Sequence, residues 1–119
     1  MDPININQKL EQVKAYWKPA IIGELNGQHI KLVKFKGEFI MHAHENEDEM
    51  FMVIKGSFRM VYPDKTVTLK EGDICIVPKG IPHKPESSEE VHALLFEPVS
   101  TLNTGEHRNE FTVESPDKI

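Results

Sequence analysis

Three histidines and a cluster of acidic residues near the middle of the chain have the residue types and spacing of a metal site. His42 and His44 are two residues apart, so both side chains leave the same face of an extended strand. His83 follows later in the chain, and Glu49 belongs to the acidic cluster. Imidazole nitrogen binds zinc, iron, nickel and copper, and a carboxylate completes a mixed nitrogen and oxygen set. If these side chains meet in the folded chain, they form a site for a divalent metal ion.

The apolar neighbours of these residues predict that the site is buried. Ile40 shares a face with His42 and His44 on one predicted strand. Phe51 shares a face with Glu49 on the next predicted strand. Burying imidazoles and a carboxylate costs several kcal/mol unless each group is paired. A bound metal ion would supply that pairing, whereas an unpaired set would be a defect in the core.

The third histidine, His83, follows a segment that predicts a rigid turn. Residues 78–82 contain two prolines and one glycine just after a predicted strand. Such a turn can direct the imidazole back over the end of the strand. A single histidine in a loop is more often exposed or hydrogen-bonded than a metal ligand, so His83 is a weak candidate when it is taken alone.

Turn signals divide most of the chain into short predicted strands. Asn26-Gly27 between apolar residues is a strong hairpin signal, and Gly and Pro recur between the later apolar runs. This pattern is typical of an all-β sandwich or barrel. The predicted strands are residues 20–25, 29–36, 38–44, 49–55, 57–62, 66–70, 73–77 and 91–97, with an edge strand or a frayed end at 110–114.

One short helix is predicted before the strands. Asn5 and Gln8 resemble a capping pair, and Pro19 ends the helical pattern. We expect the apolar stripe of this helix to pack on the body of the protein, with a dimer contact as the alternative. The stripe consists of Leu10, Val13 and Trp17.

Length and composition limit the classes of protein to consider. A chain of 119 residues with 39% hydrophobic and 28% charged residues is typical of one globular domain. The net charge of −5 argues against a nucleic-acid partner, and no apolar run is long enough for a membrane span.

The single cysteine, Cys75, allows no internal disulfide and is expected to be a free buried thiol. With no signal peptide visible, a cytoplasmic location is expected.

Two motifs in the chain resemble those of the cupin family. The spacing Gly37-(x4)-His42-x-His44-(x4)-Glu49-(x6)-Gly56 is similar to the first cupin motif. The spacing Gly72-(x5)-Pro78-x-Gly80-(x2)-His83 is similar to the second. Together the motifs span residues 37–83, and the strand pattern on either side fits the same fold. The chain therefore resembles a small single-domain cupin, similar to the mannose-6-phosphate-isomerase-like cupins.

The resemblance implies a fold and a ligand set. The implied fold is all-β, an antiparallel jelly-roll β-barrel, with the short N-terminal helix in addition. The implied ligands of one divalent metal ion are His42, His44, Glu49 and His83. Zn, Fe, Mn, Ni and Cu are all compatible with these ligand types. The predicted division of the chain is a helical segment at 1–19, the barrel at 20–114 and a polar tail at 115–119.

Two positions depart from the common cupin pattern. The gap between Gly37 and His42 is four residues where five are usual, which implies a tighter turn without disturbing the ligands. Ser87 stands where the second motif often has Asn, a position that is not a metal ligand.

Among the acidic residues, Glu49 has both the family spacing and the face of the strand that a ligand needs. Glu47 shares its parity but lies in the predicted loop. Glu45 and Asp48 are expected to point elsewhere, so these three acids are interpreted as a solvated loop. His29, His92 and His107 have no partner at ligand spacing and are expected to be structural or exposed; these are the remaining histidines.

Two functions follow as hypotheses. The first is a metal-dependent enzyme of isomerase or dioxygenase type that acts on a small polar metabolite through an open coordination position. The second is a non-catalytic barrel that binds or senses a small molecule. Polar side chains beside the open position would indicate an enzyme. Arg59 would be such a residue if it faces the interior, but an exterior surface charge is the favoured interpretation. A homodimer is possible, since exposed sheet edges need cover.

Overall fold

The structure, a computed structural model, describes residues 1–105 and 109–119, and its regular secondary structure is seven strands and one short helix. Its elements are α1 (Ile6–Leu10), β1 (Ala20–Leu25), β2 (Gln28–Glu38), β3 (Glu49–Lys55), β4 (Ser57–Val61), β5 (Thr66–Lys70), β6 (Ile74–Val77) and β7 (Lys84–Pro98). Every pairing between these strands is antiparallel. The prediction of an all-β antiparallel fold with one short helix is confirmed. Within the described ranges no helix has the length and hydrophobicity that crossing a bilayer demands.

Strand β7 joins the two layers of the fold. Its second half pairs with β2 and β3, in a layer with the order β1-β2-β7-β3-β6. Its first half pairs with β4, which in turn pairs with β5. The chain therefore bends within β7 from one layer to the other. Ser87 lies near this bend, where its hydroxyl donates to the carbonyl oxygens of Ser57 at 3.1 Å and Glu89 at 2.6 Å.

Side chains alternate between the two faces of the strands, and the apolar ones form two clusters, one inside the barrel and one on its outer face. The inner core contains Phe35, Phe58 and Met60, none of which is more than 1% exposed. On the outer face of the sheet, Leu10 from α1 and Leu32 from β2 belong to a second apolar cluster. The helix therefore packs on the body of the barrel, as the sequence predicted.

The hairpin between β1 and β2 is formed as predicted. Asn26 and Gly27 both have positive φ, at 49° and 74°, which is the backbone of a type I′ turn. The helix is also capped as predicted, since the Asn5 side chain accepts from the Gln8 amide at 2.9 Å.

The predicted length of the helix is wrong. It ends at Leu10, and Trp17 has a positive φ of 63°. The Trp17 amide instead donates to the Lys34 carbonyl at 2.9 Å. Its indole stacks on Phe35 and Phe39, with ring centroids 4.7 and 4.8 Å away. Aromatic packing at the mouth of the barrel therefore overrides the helical spacing of the apolar residues.

The prediction of a separate strand at 38–44 is also wrong. Strand β2 runs through to Glu38, and beyond it His42 forms only an isolated bridge with His83. Conversely, β7 begins at Lys84, well before the predicted start at 91. Its first residues are polar and include Pro85, so they read as a loop. They form a strand because β4 pairs with them on one side and the end of β2 on the other.

The C-terminal segment covers the barrel mouth without forming a strand at 110–114. Asn103 donates to the Phe111 carbonyl at 2.7 Å and accepts from the Val113 amide at 2.9 Å. Gly105 packs so closely on Ala43, between two candidate ligands, that a Cβ at this position would clash with the Ala43 carbonyl oxygen. The chain ends beside β1, where Ile119 donates its amide to the Ile21 carbonyl at 2.9 Å.

Candidate metal centre

The four candidate ligands meet at one end of the barrel. His42, His44, Glu49 and His83 each offer one ligand atom, and these atoms all lie within 4.8 Å of one another. All four side chains are buried, with 0–4% exposure. Residues from two distant parts of the chain therefore form a cluster that could hold a metal ion.

Backbone hydrogen bonds fix the two segments that carry the histidines. The His42 amide donates to the His83 carbonyl at 3.0 Å, and the His83 amide donates to the His42 carbonyl at 2.8 Å. Next to this bridge, the Gly80 amide donates to the His44 carbonyl at 2.8 Å. The Lys79 amide donates to the Asp48 carboxylate at 2.9 Å, which ties the acidic loop to the same turn. The positions of the histidines are therefore set by the main chain and not by side-chain packing alone.

Two of the imidazoles are oriented by their own backbone. The Nδ1 atoms of His42 and His83 lie 2.9 Å from the carbonyl oxygens of Ile40 and Ile81, respectively. A carbonyl accepts only, so each Nδ1 carries the proton and donates it. Each Nε2 then keeps its lone pair, as a metal ligand requires.

Glu49 lies between His44 and His83. Its Oε1 is 3.2 Å from His44 Nε2 and 3.3 Å from His83 Nε2. Both ring nitrogens of His44 are buried, and neither makes a well-aligned hydrogen bond among the described residues; Nε2 has the close contact with Glu49, and Nδ1 has no partner there. A buried imidazole without partners is costly, and a metal ion at Nε2 would remove that cost. The residues present therefore fit a divalent cation.

The local environment keeps His42 in the neutral form. Burial, together with the neighbouring His83, lowers the pKa of His42 from 6.5 to about 4. Burial also acts to raise the pKa of Glu49, but contacts with Glu97, His44 and His83 outweigh it and hold that pKa well below its ordinary value. A neutral imidazole beside a carboxylate anion is the protonation state that binds a metal ion.

The lowered pKa of His42 predicts acid sensitivity of the metal-free protein. Above pH 6.5 His42 is neutral in both the folded and the unfolded chain. As the pH falls toward 4, the unfolded chain takes up a proton that folded His42 does not, so the free energy of unfolding decreases. The shift from 6.5 to about 4 corresponds to about 3 kcal/mol. Urea unfolding at pH 7 and at pH 4.5, in the presence of chelator, measures this loss.

A His42→Gln variant is the matched control for this experiment, because glutamine does not titrate. Its stability should depend on pH less steeply than that of the wild type, and contributions from groups such as Glu49 cancel in the comparison. Equal pH dependence in the two proteins would contradict the lowered pKa.

The remaining acidic and basic candidates lie away from the cluster. Glu47 accepts from the Ser100 hydroxyl at 3.2 Å, and Asp48 from the Lys79 amide. Arg59 is on the exterior, where its Nε donates to Glu86 at 3.0 Å and its side chain is 44% exposed. The favoured interpretation of Arg59 as a surface charge is therefore confirmed.

His29, His92 and the cysteine also lie outside the cluster. His29 pairs with Glu24 at 3.0 Å and His92 with Glu90 at 2.6 Å, while His107 lies outside the described residues. Cys75 is free and partly buried. Burial and the charge of Glu49 raise the pKa of its thiol to about 11, so at neutral pH it is not a thiolate nucleophile.

Sequence reasoning missed a buried ion pair next to the cluster. Lys31 Nζ donates to Glu97 Oε1 at 2.8 Å, and the two side chains are 2% and 1% exposed. Burial raises the pKa of Glu97 well above its ordinary value, and the nearby negative charge of Glu49 raises it further. Strand parity could have found the pair, because Lys31 shares a face with Val33 and Glu97 shares a face with Leu95.

A cavity opens directly onto the candidate ligands. His42 and Glu49 form part of its wall. Among the described residues, the only other polar one in this wall is Asn103, whose amide already pairs with the C-terminal segment. The rest of the lining is apolar and mainly aromatic, comprising Trp17, Pro19, Val33, Phe35, Phe39, Phe51, Pro85 and Leu95.

An antiparallel, two-layered strand barrel with three histidines and a glutamate at its mouth defines a cupin-type protein. Comparison with known proteins agrees, since the Cupin_2 cupin-domain family matches residues 31–97. The chain belongs to the cupin family. Both the fold and the family predicted from the two motifs are thereby confirmed.

Individual relatives support the same conclusion. A crystal structure of a cupin-2 domain containing protein from Shewanella frigidimarina NCIMB 400 has a TM-score of 0.79 at 39% sequence identity, covering 80% of this chain and 93% of that one. The uncharacterized protein YdbB of Bacillus subtilis (strain 168) is 37% identical over 67 residues, which are 56% of this chain and 59% of YdbB.

A third relative has a named activity. The 3-hydroxyanthranilate 3,4-dioxygenase of Xenopus tropicalis is 27% identical over 103 residues, which are 80% of this chain and 36% of that protein. The chain thus spans less than two thirds of the length of both of these curated relatives.

Proposed function

We propose that this cupin is a metal-dependent enzyme whose ion is held by His42, His44, Glu49 and His83. Three nitrogen ligands and one oxygen ligand leave one or two positions free in five- or six-coordinate geometry. Such a metal ion supplies Lewis-acid chemistry or, in the case of iron, redox chemistry with dioxygen. Zn, Fe, Mn, Ni and Cu all remain compatible with the ligand set.

The cavity supports a substrate with an apolar body and an oxygen that reaches the ligands. Trp17, Phe35 and Phe39 form a stacked aromatic wall, and His42 and Glu49 lie on the same cavity. An apolar wall of this kind favours a flat or hydrophobic molecule over the small polar metabolite expected from the sequence. The single observation that carries the proposal is this aromatic cavity, open to the ligand cluster.

Of the two reaction types, the cavity favours the dioxygenase. A sugar phosphate needs cationic and hydrogen-bonding partners, and no Lys or Arg belongs to the described lining of the cavity. The Xenopus tropicalis relative is named as a dioxygenase of 3-hydroxyanthranilate, which supports an oxygen-dependent reaction on a related aromatic compound.

A non-catalytic binding barrel is the second candidate, and one observation favours it. Apart from the proposed ligands, the part of the cavity wall that the structure describes offers only Asn103 as a polar side chain, and both ends of that amide are already hydrogen-bonded. No further acid or base in the described lining is free to move a proton, so any proton transfer would fall to the ligands or to the substrate itself.

Fluorescence of Trp17 can test both candidates, because it is the one tryptophan of the chain and lies in the cavity wall. The protein is loaded anaerobically with Fe²⁺ and titrated with 3-hydroxyanthranilate and, separately, with catechol, an aromatic diol without a carboxylate, and oxygen uptake is followed after air is admitted. Saturable quenching with oxygen uptake is expected for the enzyme, and a His83→Ala variant should lose the uptake.

Quenching without turnover would overturn the enzyme proposal and support the binding barrel. The absence of any saturable quenching with aromatic compounds would contradict the proposed ligand class for both. Mannose 6-phosphate serves as the polar comparison compound and is expected to leave the fluorescence unchanged.

Location, assembly and domain limits also remain proposals. We retain a cytoplasmic location, a possible homodimer and the absence of a nucleic-acid partner, each on the sequence grounds given above. The division at residues 1–19, 20–114 and 115–119 is likewise proposed. Size-exclusion chromatography with light scattering would measure the oligomeric state directly.

A further inference from the structure

We infer that the buried pair Lys31–Glu97 is a positioning device for the carboxylate of Glu49. The inference rests on the proposed metal centre and extends it to residues outside the ligand cluster. Neither Lys31 nor Glu97 lines the cavity or belongs to the four candidate ligands. Both therefore act through Glu49 and not on a bound substrate.

Strand register brings the three side chains together. Phe51 pairs with Leu95 between β3 and β7, and Met50 pairs with Phe96. The same register places Glu49 beside Glu97 on the inner face of the barrel. Lys31 pairs with Leu95 on the other side of β7, one step from Glu97 on the same face. Across the sheet, the Lys31 ammonium on β2 is thus followed by the Glu97 carboxyl group on β7 and then by the Glu49 carboxylate on β3.

The contacts form a continuous series from Lys31 to the histidines. Lys31 Nζ donates to Glu97 Oε1 at 2.8 Å. The register of β3 on β7 places the Glu97 carboxyl group beside that of Glu49. Glu49 Oε1 then lies 3.2 Å from His44 Nε2 and 3.3 Å from His83 Nε2. Fixing Glu97 at one end therefore limits the rotation of Glu49 at the other.

Burial explains why the pair is costly and why a role is expected. Lys31 is 2% exposed and lies in line with Val33 and Phe35, at a position where an apolar side chain would pack well. A buried ion pair contributes little to stability compared with apolar residues of similar volume. Partners of metal-ligating side chains, in contrast, fix ligand geometry and typically change metal affinity 10–100-fold when they are removed.

These opposite expectations define the test, which replaces both charges at once. A Lys31→Met/Glu97→Leu double variant has apolar side chains of similar size and removes both members of the pair, so neither is left buried without the other. We expect it to unfold at the same or a higher urea concentration than the wild type. Its dissociation constant for Co²⁺, measured by competition with a chelator, should be roughly 10–100-fold higher. The visible absorption spectrum of bound Co²⁺ should change, because it reports coordination geometry.

An exposed pair supplies the matched control. Arg59 and Glu86 form a salt bridge on the exterior, with side chains 44% and 19% exposed. An Arg59→Met/Glu86→Leu variant changes the same residue classes and should leave both the Co²⁺ affinity and its spectrum unchanged.

The outcomes separate this inference from the proposed metal centre. A Lys31→Met/Glu97→Leu variant that binds Co²⁺ as tightly as the wild type, with the same spectrum, would overturn the positioning role and leave the centre intact. Failure of the wild type itself to bind Co²⁺ would overturn the centre, and the inference with it. If the double variant does not fold, Glu97→Asp replaces it, since the shorter side chain withdraws the carboxyl group from Glu49. Wild-type affinity and spectrum in Glu97→Asp would equally refute the inference.

Discussion

A His83→Ala variant is expected to bind Co²⁺ or Zn²⁺ on the order of 100-fold more weakly than the wild type. Four-ligand zinc sites contribute roughly 10–16 kcal/mol, so one ligand of four accounts for about 3 kcal/mol. His83 is fully buried, and its Nδ1 is held by the Ile81 carbonyl, which leaves its Nε2 free to act as a ligand. Elemental analysis of protein purified without chelator or nickel resin, with chelator competition, measures the loss.

The matched control for this variant is His92→Ala. His92 pairs with Glu90 on the outside of β7 and is not part of the ligand cluster, so its removal should leave metal content unchanged. Full metal content in His83→Ala would remove that histidine from the site. Equal losses in both variants would indicate a general effect on folding instead of a lost ligand.

Removal of the metal ion is expected to lower the thermal midpoint on the order of 15 °C. A ligand present at a thousand times its dissociation constant stabilises the folded state by about 4 kcal/mol, and a domain of this size shifts by several degrees for each kcal/mol. The effect arises because the four ligands meet only in the folded chain. Differential scanning calorimetry of the metal-loaded and the chelated protein measures the shift.

The His83→Ala variant provides the control for this second experiment. Its midpoint should respond little to added metal, which separates binding at the centre from weak binding to the acidic loop at 45–48. An unchanged midpoint after chelation verified by elemental analysis would show that the centre does not hold the barrel together.

The burial of three candidate ligands, His42, His44 and Glu49, could be predicted because each one lies in register with apolar residues, whereas His83 was placed by the turn before it and by the family resemblance. Glu49 alternates with Phe51 and Val53 in a strand that the structure contains, so its burial follows from the sequence. His42 and His44 were placed by the same argument on a strand that the structure lacks. Both side chains are nevertheless buried, because the segment is extended at the bridge to His83, which keeps them directed inward.

Features that depend on distant partners could not be predicted in the same way. The polar start of β7 resembles a loop until β2 and β4 are known to flank it. Trp17 fits a helical stripe until Phe35 and Phe39 are known to form the mouth of the barrel. In both cases tertiary contacts outweigh local preference, and local preference is what sequence patterns report.

The bridge between His42 and His83 has a consequence for the kinetics of folding. The hairpins β1–β2 and β4–β5 are local, but the histidines meet only after residues near 42 and 83 have been brought together. Closing such long loops is slow, and the unfolded chain offers a metal ion little more than the nearby His42 and His44. Metal capture should therefore follow the rate-limiting step. We expect the ion to slow unfolding while leaving the refolding rate almost unchanged, because it stabilises the folded barrel and not the transition state for folding.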